Sequence, residues 1–377
     1  MTVSIWQDRA GTLEQTCDVA VVGAGIVGST LARLLGDEGL DVAIIEARQV
    51  AAGATGRNAG MVLTGLAEHY NRAVQTYGRQ RAREAWALTV ANRHRLLEWS
   101  ARLEVPVEQT GSLLLAVDEP EVADLRESAR LLAEDGFASE FEPRDPLGRG
   151  FRAALLQPDD VALDPVAFTV AMQASSRATL LTGCELYRIA KGADGLTLYS
   201  RRATVRCQTA ILAVNAYAPL LDPFFADKVF PTRGQMLATA PLPPLLARPG
   251  YADHGYEYFR QLPDGRLLLG GWRQHYRAEE IGYSDEITSP IQQGLESFLA
   301  RHFSEVEADV THRWAGVMGF SRDGLPLVGS LPHEPRIYFA VGFTGHGLGL
   351  GIAAAEQLVD LLLHGRQPGL LSARRMS

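Results

Sequence analysis

Asp18-Val19-Ala20-Val21-Val22-Gly23-Ala24-Gly25-Ile26-Val27-Gly28 carries an apolar run straight into a glycine-rich turn. The run reads as a buried strand, and the Gly-x-Gly-x-x-Gly spacing as the entry to a helix. Gly23 allows the tight turn, Gly25 lets backbone approach a pyrophosphate, and Gly28 lets the helix pack on its strand. The helix N-terminus then presents its dipole to the phosphates. A second strand, Asp41-Val42-Ala43-Ile44-Ile45, ends in Glu46, which is placed to accept hydrogen bonds from a ribose. The glycine motif alone is weak. Strand, turn, amphipathic helix from Ile26 to Leu35, second strand and acidic terminus in register read as a dinucleotide-binding unit.

The remaining composition bounds the function. A chain of 377 residues is long for one core, and 46 % hydrophobic residues suffice for two domains. No charged n-region with an apolar h-region precedes Cys17, and the apolar stretch Ile337 to Ala355 is interrupted by His346 and glycines, so neither a signal peptide nor a membrane span is expected. Cys17, Cys184 and Cys207 make no CxxC and leave an odd count, which points to core thiols in a reducing cytoplasm rather than disulfides or a metal site. A formal net charge of -8 without a basic run argues against nucleic acid and anionic membranes. A small-molecule partner is the remaining class. The only lysines are Lys191 and Lys228, so a lysine Schiff base has almost no residue to use.

Along the chain, a glycine-rich turn (Ala52-Gly53-Ala54-Thr55-Gly56-Arg57-Asn58-Ala59-Gly60) precedes a long helical stretch from about Glu68 to Leu103. A strand over Ser112 to Val117 and a helix over Glu121 to Leu132 follow, and Asp164-Pro165 reads as the cap and first position of a helix running to about Arg177. From Leu180 the period changes: strands are expected over Leu180 to Ile189, Leu196 to Ser200 and Thr204 to Ala213, as an antiparallel meander. Pro219, Pro223 and Pro231 mark a loop before a strand at Gln235 to Ala240, and Pro241 to Pro249 marks another. Tyr256 to Gln261 and Leu267 to Gly271 read as a hairpin around Asp264-Gly265. Ile337 to Val341 then enters a second turn, Gly342-Phe343-Thr344-Gly345-His346-Gly347, and a helix from Leu348 to Leu363.

That second turn has two readings. It is either a packing turn, or a helix N-terminus whose N–H groups face an electron-rich group. A flavin has such a group, because its N1–C2=O edge becomes anionic on reduction.

With these motifs in order, the chain resembles the FAD-dependent oxidoreductases of the D-amino-acid oxidase type, which include glycine, sarcosine and γ-glutamylputrescine oxidases. The resemblance covers nearly the whole chain. It rests on Ser4-Ile5-Trp6, the turn from Gly53 to Gly60, Arg233-Gly234-Gln235, Tyr258-Phe259-Arg260 with Asp264-Gly265-Arg266, Asp323-Gly324-Leu325-Pro326, and the turn from Gly342 to Gly347. Ser-x-Trp and Gly-Arg-Asn-x-Gly look most like the γ-glutamylputrescine oxidase branch. The resemblance implies an α/β fold, α+β overall: a Rossmann-like FAD-binding domain of the glutathione-reductase type (1–84, 148–220 and 319–377) interleaved with a substrate domain of antiparallel sheet plus helices (85–147 and 221–318). It implies FAD lying along Gly23 to Gly28, Glu46, Ala47, Arg48, Thr55 and Gly56, with its ring near Arg57, Asn58, Ala59, Gly60 and Met61. Leu186, Ala213, Val214, Asn215, Gly342, Thr344, Gly345, His346, Gly347, Leu348 and Gly349 complete the implied contacts. Positions that carry a flavin-linking residue in some relatives correspond to Asn58 and Gly316, so FAD is expected to be non-covalent.

The implied reaction is oxidation of a C–N bond, with hydride passing from the substrate's α-carbon to flavin N5 and the imine hydrolysing. This needs orientation and a deprotonated nitrogen more than a strong base. Tyr258, Arg260, Trp272, His275, Trp314 and His346 are candidates for holding substrate. Each has a plainer role open to it: Arg260 as a solvated strand residue, the tryptophans as core, His346 as a backbone hydrogen-bond partner. Where amino-acid-oxidising members place an arginine for the substrate carboxylate, this chain has Met318. Gly349 and Leu268 stand where relatives carry lysines. A buried carboxylate without its cation costs several kcal/mol, on the order of that of a broken ion pair. A small amine is therefore the first reading. A D-amino-acid or N-methylamino-acid oxidase or dehydrogenase, using Arg260 or Arg273 instead, is the second, and an FAD subunit of a multisubunit oxidase is the third. The electron acceptor, oxygen or another, stays open.

Overall fold

The computed structural model describes residues 13–376. Ser4-Ile5-Trp6 lies outside them. The strand Leu13–Val22 pairs in parallel with Val42–Ile45 on one side and Ala203–Leu212 on the other, and Val42–Ile45 pairs in parallel with Thr179–Leu181. Ala203–Leu212 forks. Its first half pairs antiparallel with Gly195–Ser200, which hairpins to Leu186–Gly192; its last residues pair in parallel with Glu334–Val341, beside which Leu327–Leu331 runs antiparallel. Strands buried on both faces explain the continuous apolar runs.

One face of this eight-stranded sheet is covered by helices. Ile26–Asp37 and Gly347–His364 contribute Ile26, Leu31, Leu35, Leu350, Ile352 and Leu358 to the same buried cluster as Val19, Val21 and Ile44. Gly347–His364 is long and apolar enough by composition to cross a membrane, and Leu348, Leu350, Ile352 and Leu358 are buried in this cluster. On the other face Leu186, Leu196 and Leu198 pack with Ala20 and Val22, and Cys17, Cys184 and Cys207 are buried there and free. Burial pushes the Cys17 thiol up to about 12 and Cys207 to about 11, which leaves both protonated and inert.

A second sheet of eight strands runs Val310–Ser321, Val229–Pro241, Arg266–Gly270, Glu257–Gln261, Gly250–Ala252, Ser112–Ala116, Ala153–Gln157, Glu140–Glu142. All neighbours are antiparallel except Gly250–Ala252 against Ser112–Ala116. Helix Ser289–His302 seals it with Ile291, Leu295 and Phe298. A small third sheet joins Met61–Val62, Val161–Leu163 and Val107–Glu108.

Several elements differ from the expectations. The helical stretch 68–103 is two helices, Tyr70–Tyr77 and Arg79–Arg102, because Gly78 between them sits at φ 81. Leu180 to Ile189 likewise splits at Gly183, sending Thr179–Leu181 to the parallel sheet. The strand expected at 235–240 begins at Val229 and runs through Pro231, whose neighbours pair with Phe320 and Met318. Ala153–Gln157, within the segment assigned to the first unit, pairs instead in the second sheet. A five-residue apolar run does not carry the identity of its sheet. The helix after Asp164 forms over Pro165–Ser175, with the Asp164 carboxylate accepting from Val166 and Ala167 N–H.

Candidate active site

The strand-to-helix turns at Gly25 and His346 open into one cavity of about 1260 Å³ between the two large sheets. Neither helix is capped by its own N-cap side chain, so apart from Ile26 N–H the first-turn N–H groups of Ile26–Asp37 and Gly347–His364 are left to interact with whatever fills the cavity. Val22, Gly23, Gly25, Ile26 and Val27 line one end together with Glu46, Ala47 and Arg48. Thr55 Oγ1 accepts from Ile26 N–H at 3.1 Å, and a Cβ on Gly25 would stand 3.1 Å from that same oxygen. The cradle therefore depends on bare backbone at Gly25. Gly28 is not in the lining: a Cβ there would lie 1.9 Å from the Gly23 carbonyl oxygen, so its place is the helix–strand contact.

Glu46 lines the cavity while both its oxygens accept backbone N–H groups, Oε2 from Ala24 and Oε1 from Arg48, each at 2.8 Å. These bonds fix the carboxylate and leave its remaining lone pairs for hydroxyl donors. Ala24 itself lies behind the lining.

Along the middle, Thr55, Asn58, Ala59, Met61, Leu186, Ala213, Val214 and Asn215 line the cavity. Asn58 donates to the Ala54 and Thr55 carbonyls and accepts from Gly60 N–H, so its amide holds the loop in shape. Asn215, at φ 45, accepts the N–H groups of Gly342 and Phe343 and so positions the second turn. Gly56, Arg57, Gly60 and Gly342, expected along the cofactor, do not line this cavity. Arg57 donates to the Ala52 and Ala315 carbonyls and reaches Asp285 at 3.4 Å. A Cβ on Gly316 would lie 2.8 Å from Arg57 Cβ, so Gly316 is needed for that packing.

The far end is lined by Tyr251, Tyr258, Met318, Phe320, Arg273, His346 and the 344–349 turn. Burial raises both phenols, Tyr251 to about 12 and Tyr258 higher still, against the opposing pull of the Arg273 charge. Both are therefore neutral hydroxyls. Burial also lowers His346, so its imidazole is neutral; Nδ1 lies 3.4 Å from the Thr344 carbonyl, which directs Nδ1–H there and leaves the lone pair on Nε2. The Arg273 guanidinium is held over the Tyr256 and Phe320 rings at 4.7 and 4.9 Å. Among the described residues no carboxylate lies within ion-pair distance of it.

Four expected substrate residues, Arg260, Trp272, His275 and Trp314, do not line this cavity. Arg260 is buried with Nη1 donating to the Ala59, Gly60 and Leu163 carbonyls and Nη2 paired with Glu108, so it clamps the glycine turn to the third sheet. Trp272, at φ 66, packs on helix Ser289–His302, where a Cβ on Gly294 would be 2.0 Å from the indole, and its ring lies tilted against that of the exposed His275. Trp314 donates Nε1–H to the Arg57 carbonyl at 3.0 Å and lines a separate hollow with Arg57 and His312. The two indoles do not form a cage. Tyr251, His69 and His254 line the cavity without having been singled out, since Gly250–Ala252 is too short to register as a strand and the turn after it, with Asp253 and His254 at φ 48 and 53, carries no glycine until Gly255.

Residues 18–361 match the model of the family described as FAD dependent oxidoreductase. Gamma-glutamylputrescine oxidoreductase of Escherichia coli strain K12 is 24% identical over 369 residues, covering 92% of this chain and 84% of that protein. Glycine oxidase of Bacillus licheniformis is 25% identical over 362 residues, covering 92% and 93%. The solved structure of L-proline dehydrogenase from P. horikoshii superposes with a TM-score of 0.82 at 20% identity, over 97% of this chain and 98% of that one. The chain thus belongs to the FAD dependent oxidoreductase family, and its cofactor is FAD.

Proposed function

We propose that the chain oxidises the C–N bond of a small amine, with FAD held non-covalently along the cavity from Glu46 to the 344–349 turn. Bound FAD supplies the hydride acceptor. Asn58 offers no nucleophile to the flavin, and Gly316 stands behind Arg57. The uncapped N-terminus of Gly347–His364 favours negative charge where it meets the cavity. Tyr251 and Tyr258 offer neutral hydroxyls to orient the substrate, and Met318 and Phe320 exclude water beside them. Neutral His346, with its lone pair on Nε2, accepts a hydrogen bond or proton from the substrate nitrogen.

One observation favours the narrower reading of an amine that also carries a carboxylate. Arg273 lines the cavity without a carboxylate partner among the described residues. Met318 leaves the usual cationic position neutral, and Arg260 is committed to backbone carbonyls. Arg273 is then the group that meets a carboxylate, bidentate if the fork is aligned. The relatives named for glycine, L-proline and γ-glutamylputrescine support the amine class.

Anaerobic mixing of the FAD-loaded chain with paired amino acids and amines, following loss of the flavin's visible absorbance, tests both levels. Reduction by a member of either set supports C–N oxidation, and faster reduction by the amino acid supports the Arg273 reading. Reduction by hydroxy acids alone would overturn the proposal.

A further inference from the structure

His69 and His254 line one wall of the cavity and meet Glu121, buried behind them, from three separate segments. His69 precedes helix Tyr70–Tyr77, Glu121 lies in the first turn of helix Glu119–Asp135, and His254 sits in the turn after strand Gly250–Ala252. Their three ligating atoms lie within 4.8 Å of one another. His69 Nε2 is hydrogen-bonded to Glu121 Oε1 at 3.0 Å, and His254 Nδ1 lies 3.7 Å from the same oxygen. Around a tetrahedral zinc ion with bonds of about 2.0–2.2 Å, neighbouring ligand atoms stand about 3.4 Å apart. The two observed separations bracket that figure.

A second observation points to a missing ligand. His254 Nδ1 is buried and has no hydrogen-bond partner among the described residues, a state that desolvation penalises. A cation between it and Glu121 Oε1 would remove the penalty. Glu121 is fully buried, its Oε2 accepting Val117 N–H at 2.9 Å and its Oε1 accepting the His254 backbone N–H at 2.6 Å. These bonds fix the carboxylate before any ion arrives. Both imidazoles also line the FAD cavity, so a further coordination position faces that space. Two imidazole nitrogens with one carboxylate oxygen suit zinc and its neighbours rather than calcium or magnesium, which take oxygen.

We infer that His69, Glu121 and His254 form a binding site for a divalent transition-metal ion, of which Zn²⁺ fits best. The site goes beyond C–N oxidation, and its occupancy is read without turnover.

The test is titration of chelator-treated, FAD-loaded full-length protein with Zn²⁺ against a chromogenic competitor, with X-ray absorption at the zinc edge. One ion per chain is expected, coordinated by two imidazoles. His254→Ala and Glu121→Gln should each weaken binding at least about tenfold, since even outer-shell changes at metal sites cost that much. His254 is partly exposed and carries the test if the Glu121 variant fails to fold, as judged by circular dichroism and retained FAD. Sub-stoichiometric uptake, unchanged affinity in His254→Ala, or equal affinity for Mg²⁺ would overturn the assignment.

Discussion

Replacing Arg273 with methionine separates the substrate's carboxylate from the rest of the site. Methionine keeps apolar bulk between the Tyr256 and Phe320 rings, and the change leaves no protein carboxylate unpaired among the described residues. The folding cost is therefore the two cation–π contacts, about 0.5–1 kcal/mol each. The cost to a carboxylated substrate is larger. Truncating one member of a hydrogen-bonded charge pair costs about 2–5 kcal/mol, and the lower end applies because Arg273 is only half-buried. About 2–3 kcal/mol corresponds to a loss of roughly 30- to 150-fold in kcat/KM. Anaerobic reduction with an amino acid and with its decarboxylated amine, on wild type and variant, is the assay. The amino acid should lose that factor and the amine should not. Equal losses for both, or none for either, would refute a carboxylate contact at Arg273.

Other sites give sharper stability readouts. Removing the Arg260 guanidinium strands the Ala59, Gly60 and Leu163 carbonyls and the Glu108 carboxylate, so Arg260→Met should cost about 3–5 kcal/mol in unfolding experiments. The ratio of kcat/KM between substrates should stay unchanged; a selective change would return Arg260 to the substrate site. Gly28→Ala drives a Cβ to 1.9 Å from backbone and should yield little folded protein, whereas Gly25→Ala, 3.1 Å from Thr55 Oγ1, should fold with a reduced FAD-to-protein ratio. Burial pushes Glu257 up to about 8, against the hydrogen bond from Gln274. An unfolded carboxyl titrates near 4.5, so between these values the native state binds more protons and stability falls as pH rises, until the cost is complete above about 8. Glu257→Gln should gain on the order of a few kcal/mol at alkaline pH and almost nothing below about pH 5. A pH-independent difference in melting temperature would contradict the buried, protonated carboxyl.

The parts legible in the sequence are those fixed by local backbone chemistry. The glycine spacing at Gly23 to Gly28, the cap at Asp164-Pro165 and the turn before Gly347 all need particular residues whatever surrounds them. What a side chain reaches across the fold is a different matter. Tyr258 and Arg260 alternate onto one face of the same strand, as period two dictates, yet only Tyr258 lines the cavity. The Arg260 side chain is drawn to carbonyls at positions 59, 60 and 163, a convergence that no local pattern encodes. Trp272 depends in the same way on Gly294. The strand Val310–Ser321 is not legible in the sequence because Gly316 and Gly319 break its apolar alternation, and those glycines answer to Arg57 and Asn215. Arg273 was legible as a cation and not as a partnerless one, since that depends on where every carboxylate lies.

The most direct measurement is single-turnover product analysis with a substrate deuterated at the α-carbon. The account predicts that each flavin reduced without oxygen yields one carbonyl product and one ammonia or primary amine, and that deuteration slows the reduction. Flavin reduction that releases no nitrogen product, or that is indifferent to the α-deuterium while chemistry limits the rate, would contradict hydride removal from a C–N carbon.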